Sequence, residues 1–204
     1  MNCILLAKGE KSLRLGKIKP FILFHEKPLI EIILEKTTEL FENIYIVTTK
    51  KEKFKMYENE KVFLIEDNIK CGPLGGILLG LKHSNSYYNF VLPIDLLFIN
   101  NNLLKYMEEK KKDYDILYVK TKDFIQPLCG IYSKKVLKYI EQNIKKGQYK
   151  VKSILQSERF NIKIITEKEI EKFGNPMDMF FNLNTKEDLN WLKEIENGIT
   201  SGSN

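Results

Sequence analysis

The sequence predicts an α/β fold in which a mostly parallel sheet carries helices on both faces. Three observations point there: short β-branched apolar runs recur along the chain, polar or amphipathic segments of helical length separate them, and proline or glycine marks several helix ends. Strands that alternate with helices pair in parallel and leave both faces of the sheet to be covered. With 204 residues, 43% hydrophobic and 29% charged, the chain can enclose a core, since roughly 100–200 residues make a domain. That composition excludes disorder for most of its length.

Residues 3–7 read as a first buried strand, followed by a polar, lysine-rich loop from Lys8 to Lys19. A helix begins at 28–35, with Pro28 near its first turn, where a missing N–H is harmless. Next come a β-branched strand at 44–47, a polar helix at 50–57 and a third strand at 62–65. A glycine-rich turn at 72–76 leads into 77–83, then strand 88–93 and a helix near 102–111 that ends in lysines. Residues 115–120 and 127–132 read as two further strands, and 134–146 as a helix stopped at Gly147. A late strand at 162–165 precedes an amphipathic helix at 185–195, whose Thr185 and Asp188 suit a cap with an acidic first turn. No internal repeat and no Pro/Gly-rich linker divides the chain, so 1–196 is expected to form one domain and the polar residues 197–204 a disordered tail.

The apolar stretches at 28–34, 77–81 and 90–99 are broken by a charge or fall short of the ~18 residues of a membrane span. No basic segment precedes the first apolar run, so it reads as a strand rather than a secretory signal. Three cysteines without a CxxC pair, beside only His25 and His83, exclude a disulfide framework and a Cys/His zinc site. A soluble, cytoplasmic protein is expected. The net charge of +6 comes from 31 lysines and only 2 arginines, and the lysines interleave with glutamates along helix faces. That pattern reads as solvated surface, so neither nucleic acid nor membrane is expected as a partner.

In open α/β sheets ligands bind beyond the carboxyl ends of the strands, so the loops there are read for chemistry. The loop at 7–19 holds two glycines, Ser12 and five cationic side chains, Arg14 among them. Such a loop can wrap a polyphosphate: glycine admits backbone N–H groups to the oxygens, and a guanidinium binds phosphate bidentately where lysine does not. It also reads as a charged surface loop. Neither GxxxxGK[ST] nor GxGxxG is present, which argues against P-loop and dinucleotide-binding assignments. Asp95 follows strand 88–93 among apolar neighbours, as a Mg²⁺ ligand beside polyphosphate or as a cap for the next helix. Asp67, before Gly72 and Gly75, could accept hydrogen bonds from a base or ribose; a plain tight turn is the other reading. Asn182 and Asn184 share one side of an extended segment, to grip a polar substrate or to close a turn.

Taken in order, these features resemble the molybdenum cofactor guanylyltransferases, MobA-like nucleotidyltransferases with a three-layer α/β/α, Rossmann-like fold. Their opening signature, LAGGxSxRMGxDK, aligns without gaps on 7–19 and retains Gly9, Ser12, Arg14, Gly16 and Lys19. The GKPLI that follows is matched by Glu26-Lys27-Pro28-Leu29-Ile30, and the EDxxxxxGPLAGI region by Glu66-Asp67 and Gly72-Pro73-Leu74-Gly75-Gly76-Ile77. The CDMPFI metal motif corresponds to Ile94-Asp95-Leu96-Leu97-Phe98-Ile99, and FxNINTPEDL to 180–189. Lys8 and Glu10 stand where the pattern has alanine and its second glycine, Ile18 where it has an acid, and Leu97 where it has proline.

The resemblance implies transfer of GMP from GTP to the terminal phosphate of molybdopterin-bound molybdenum, with release of pyrophosphate. It assigns Mg²⁺ to Asp95, and the transition state and leaving pyrophosphate to Arg14 and Lys19. Ala7, Lys8, Gly9 and Ser12 would meet the nucleotide, Thr48 and Asp67 its base or ribose, and the turn with Gly72 and Gly75 would let the base approach. Asn182 and Asn184 would face the pterin, with Lys150 near a further basic position. Molybdoenzymes or cofactor-delivery proteins are implied as partners. A relative using CTP or a sugar-phosphate acceptor, and a non-catalytic binding relative, are the alternatives. Since Ile18 cannot orient Lys19, Glu10 is expected to pair with Lys19 or Arg14 in its place.

Overall fold

The computed structural model describes residues 1–10 and 12–196; the expected tail at 197–204 lies outside the described residues. Its strands are β1 (Asn2–Leu6), β2 (Leu23–Phe24), β3 (Lys27–Pro28), β4 (Ile44–Thr48), β5 (Val62–Glu66), β6 (Tyr88–Pro93), β7 (Ile116–Lys120), β8 (Ile125–Ser133) and β9 (Ile162–Thr166). The helices are α1 (Leu29–Leu40), α2 (Gly72–His83), α3 (Asn101–Glu109), α4 (Leu137–Lys145), α5 (Lys152–Leu155), α6 (Glu167–Ile170), α7 (Pro176–Met179) and α8 (Lys186–Glu196). Seven strands form one sheet in the order β5-β4-β1-β6-β8-β7-β9, and β2 pairs with β3 apart from it.

Side chains of successive strand residues point to opposite faces, and β1 divides its apolar residues accordingly. Cys3 and Leu5 join one core with Ile30 and Ile33 of α1 and Leu103 and Met107 of α3. Ile4 joins the other with Leu74 and Ile77 of α2 and Ile140 of α4. Helices therefore cover both faces, giving the three-layer α/β/α architecture. No helix among the described residues is long and apolar enough to cross a membrane.

Three details differ from the local reading. β8 runs antiparallel to both β6 and β7, because the β7–β8 connection is a tight turn closed by Thr121 N–H to the Phe124 carbonyl at 2.9 Å. A connection that short joins only antiparallel strands. The segment at 50–57 is a 3₁₀ helix over Lys51–Tyr57 in which Phe54 alone is buried, so it lacks the apolar stripe that packing would reward. The glycines at 72–76 form the opening turns of α2 rather than a turn before it. α2 lies so close to β1 that a Cβ on Gly76 would approach Leu6 Cδ2 to 2.8 Å, and one on Gly80 would approach Ile4 Cγ2 to 2.4 Å.

The β2–β3 hairpin was invisible to periodicity because each strand is two residues long. Its turn residues His25 and Glu26 both have positive φ, 48° and 60°, a geometry that two-residue hairpins normally give to Asn-Gly. A non-glycine left-handed residue costs about 1 kcal/mol. Glu26→Gly is therefore expected to raise the thermal midpoint by about 2–4 °C, as scanning calorimetry would read; an unchanged or lower midpoint would contradict the strain.

Candidate active site

The chain passes from β1 to β4 and β5 on one side, then crosses back to β6 on the other side of β1. Loops leaving β1 and β6 diverge at this switch of direction and open a crevice. Leu6 and Pro93, the last residues of these two strands, are partners in the sheet. The 7–19 loop and Asp95 thus leave adjacent strand ends, and a cleft of about 750 Å³ opens above them.

Lys19 joins the cleft's walls. Its Nζ donates to Asp95 Oδ2 at 2.7 Å and to Asn184 Oδ1 at 3.0 Å, linking residues 76 and 165 positions away in the chain. The Lys19 and Asp95 side chains are only 19% and 15% exposed, so the pair is partly withdrawn from water. Beneath it, Leu15, Leu97 and Leu183 are buried in a small third core with Phe24, Leu189 and Leu192. One apolar cluster thus anchors the three segments that carry Arg14, Asp95 and Asn184.

Asn184 is fixed from behind as well. Asp188 Oδ2 accepts from the backbone N–H groups of Asn184 and Thr185, both at 2.7 Å, and Asp188 N–H donates to Thr185 Oγ1 at 3.1 Å, completing the cap expected at 185–188. Burial by itself would raise the Asp188 pKa. The two backbone N–H groups, the Thr185 hydroxyl and the Lys19 charge outweigh it and hold the carboxyl below its ordinary value.

Ser12 shapes the loop: its N–H donates to the Lys17 carbonyl and its carbonyl accepts from Gly16 N–H, each at 2.8 Å, while its Oγ accepts from Leu15 N–H at 3.3 Å. Gly16 closes that turn at φ 65°, where glycine is unstrained. Arg14 lines the cleft. Among the described residues its guanidinium makes no ion pair. Ala7 and Lys8 line the cleft beside it.

Glu10 also lines the cleft, but among the described residues it forms no ion pair, and Lys19 pairs with Asp95 instead. Asp95 wins because it is partly buried and held on a strand end, whereas Glu10 is exposed and screened by water. The cap reading of Asp95 also falls, since the side chain of Asn100 caps α3 by accepting from Asn102 N–H at 2.7 Å.

Thr48, Asp67 and Gly72 line the cleft as well. Asp67 Oδ1 accepts from the N–H groups of Ile69 and Lys70 at 3.2 and 3.0 Å, so the carboxylate also braces the approach to α2. Four sequence-derived residues lie outside the lining. Gly9 packs beneath the loop, where a Cβ would come within 2.5 Å of Lys50 Cβ. Gly75 faces Cys71, Asp67 and Ile69 within α2. Asn182 turns its amide onto the Phe180 carbonyl at 2.9 Å, so the two asparagines do not converge. Lys150 stands on an exposed turn, its carbonyl accepting from Ser153.

Sequence reasoning missed Thr49, Lys70 and Leu128, which also line the cleft. Thr49 Oγ1 is buried there without a hydrogen-bond partner; its position directly after Thr48 at a strand end was the available signal. Leu128 lay inside a flagged strand, and nothing local marked Lys70.

Among the described residues no group of three or more His, Cys, Asp or Glu side chains could hold a metal. Of the carboxylates that line the cleft, Glu10, Asp67 and Asp95, Asp95 suits Mg²⁺ arriving with phosphate, since that ion takes one or two carboxylates and fills its octahedron with phosphate oxygens and water. Cys3 and Cys129 are buried, and burial pushes both thiols up, so neither serves as a nucleophile.

Residues 3–162 match the profile of the MobA-like NTP transferase domain. The chain belongs to the MobA-like NTP transferase family. Proteins named probable molybdenum cofactor guanylyltransferase from Peptoclostridium acidaminophilum and Aquifex aeolicus are 33% and 34% identical to it, over 95% and 96% of this chain and 89% and 92% of theirs. The crystal structure of molybdopterin-guanine dinucleotide biosynthesis protein A from Archaeoglobus fulgidus superposes with a TM-score of 0.81 at 28% identity, covering 97% of this chain and 100% of that one. For a MobA-like NTP transferase the cleft is chemically coherent. Lys8, Arg14, Lys19 and Lys70 line it, and cations are what a bound triphosphate requires.

Proposed function

We propose that this MobA-like transferase moves GMP from GTP to the terminal phosphate of the molybdenum–molybdopterin cofactor in the cytoplasm. The single observation that carries the reading is Lys19, held between Asp95 and Asn184 at a cleft that Arg14 also lines. The names of relatives one third identical over nearly the whole chain support the choice of substrates. An oxygen of the acceptor phosphate attacks the α-phosphorus of GTP. The bond from that phosphorus to the oxygen bridging to the β-phosphate breaks, and pyrophosphate leaves.

No covalent protein intermediate is needed, so the protein's work is positioning and charge neutralisation. Arg14 binds phosphate oxygens through its planar fork, and Lys19 stabilises charge on the α-phosphate and the departing pyrophosphate. Asp95 is the residue to hold Mg²⁺, which when bound neutralises the phosphates. Asn184 lies on the acceptor side, and Thr48 and Asp67 flank the base and ribose. Molybdoenzymes or cofactor-delivery proteins fit as recipients of the product.

Pyrophosphate release from GTP, CTP, UTP and ATP, each with and without molybdenum cofactor and Mg²⁺, tests this directly. Release is expected from GTP when both additions are present. A preference for CTP would move the protein to cytidylyl transfer, and no nucleotide binding by calorimetry would leave a non-catalytic role.

A further inference from the structure

Asp95 is only as well placed as the turn that carries it. Past Pro93 the chain runs through residues 94–100 before α3 begins, and Leu97 and Ile99 in this turn are 5% and 1% exposed. Their carbonyls face one donor. Lys36, on the third turn of α1, reaches across with its Nζ 2.9 Å from the Leu97 carbonyl and 3.1 Å from that of Ile99. Lysine on a helix normally extends its head into water. Here the side chain is half-buried, and burial lowers the pKa of its ammonium. Withdrawing an ammonium from water is unfavourable unless hydrogen bonds replace the lost hydration, and the two carbonyls of this turn supply them. The turn also lacks proline at position 97, so no ring fixes φ there.

We propose that Lys36 is a positioning residue for Asp95: its ammonium pins the Leu97 and Ile99 carbonyls and so sets where the carboxylate presents its oxygens to Lys19 and to Mg²⁺. Lys36 does not line the cleft, so it acts through the turn and not on the substrate. The metal arm of this inference rests on the nucleotidyl-transfer reading above; the turn itself does not.

Lys36→Met keeps the apolar stem and removes the donor, whereas Lys36→Arg keeps a cationic donor. In the ligand-free protein, hydrogen exchange of the amides at 96–100 is expected to be about tenfold faster in Lys36→Met, with β1 and β4 unchanged and Lys36→Arg close to wild type. The Mg²⁺ concentration for half-maximal GTP binding is expected to rise about tenfold in Lys36→Met, as for other residues that orient a metal ligand, and to return in Lys36→Arg. Should Lys36→Met not fold, Lys36→Gln takes its place in both measurements. Unchanged exchange at 96–100, or an unchanged Mg²⁺ midpoint in a folded variant, overturns the proposal. So does loosening spread evenly over the chain, which would mark Lys36 as a general stabiliser. A wild-type protein that binds no GTP with Mg²⁺ would instead sink the nucleotidyl-transfer reading, while the exchange measurement still decides whether Lys36 pins the turn.

Discussion

Asp95→Asn should lower GTP-dependent pyrophosphate release by about 10³-fold while leaving the thermal midpoint within a few degrees of wild type. Asparagine keeps the shape of the side chain, and its amide oxygen still accepts from Lys19. What disappears is the charge that would hold Mg²⁺. The stability effect is small because the hydrogen bond from Lys19 is kept, so no partly buried donor is left without a partner. Asn100 caps α3, so lost capping cannot mimic the result. Full turnover in a normally folded Asp95→Asn protein would refute the metal assignment.

Lys19→Met should reduce turnover about 10²- to 10³-fold, and it carries a second consequence of opposite sign. In the ligand-free protein the Lys19 ammonium sits 2.7 Å from Asp95 Oδ2, where it competes with any cation for that oxygen. Removing it leaves a partly buried carboxylate without its counter-charge, so Mg²⁺ alone is expected to bind more tightly to Lys19→Met than to wild type even as catalysis collapses. Calorimetric titration of the metal without nucleotide, beside single-turnover kinetics with GTP, reads both. Weaker metal binding in Lys19→Met would mean that Lys19 chiefly orders Asp95, and equal turnover would remove it from the reaction altogether.

The strands of the seven-stranded sheet, their alternation with helices, and the loops at 7–19 and after residue 93 were legible in the sequence because each is a local signal. Periodicity of 2 or 3.6 and the position of a charge at the end of an apolar run are properties of neighbours in the chain. Arg14 and Asp95 could be singled out from local chemistry and Lys19 from the resemblance of the 7–19 loop to the family signature, and all three line one cleft.

Which distant groups meet is decided by how the two faces of the sheet are covered. Lys19 looked as though it needed Glu10 because only the loop was in view; folding brings Asp95 from 76 residues away and Asn184 from 165. Gly76 read as part of a turn and nothing local marked Gly80, yet the absence of their Cβ atoms lets α2 lie against Ile4 and Leu6. Lys36 carried no signal at all, since a lysine on an amphipathic helix reads as solvated until a turn packed beside that helix presents two carbonyls to it. Local chemistry selected the candidate residues, and the packing of α1, α8 and the third core around the β1–β6 crevice determined their partners, because burial is shared among segments that the chain itself keeps far apart.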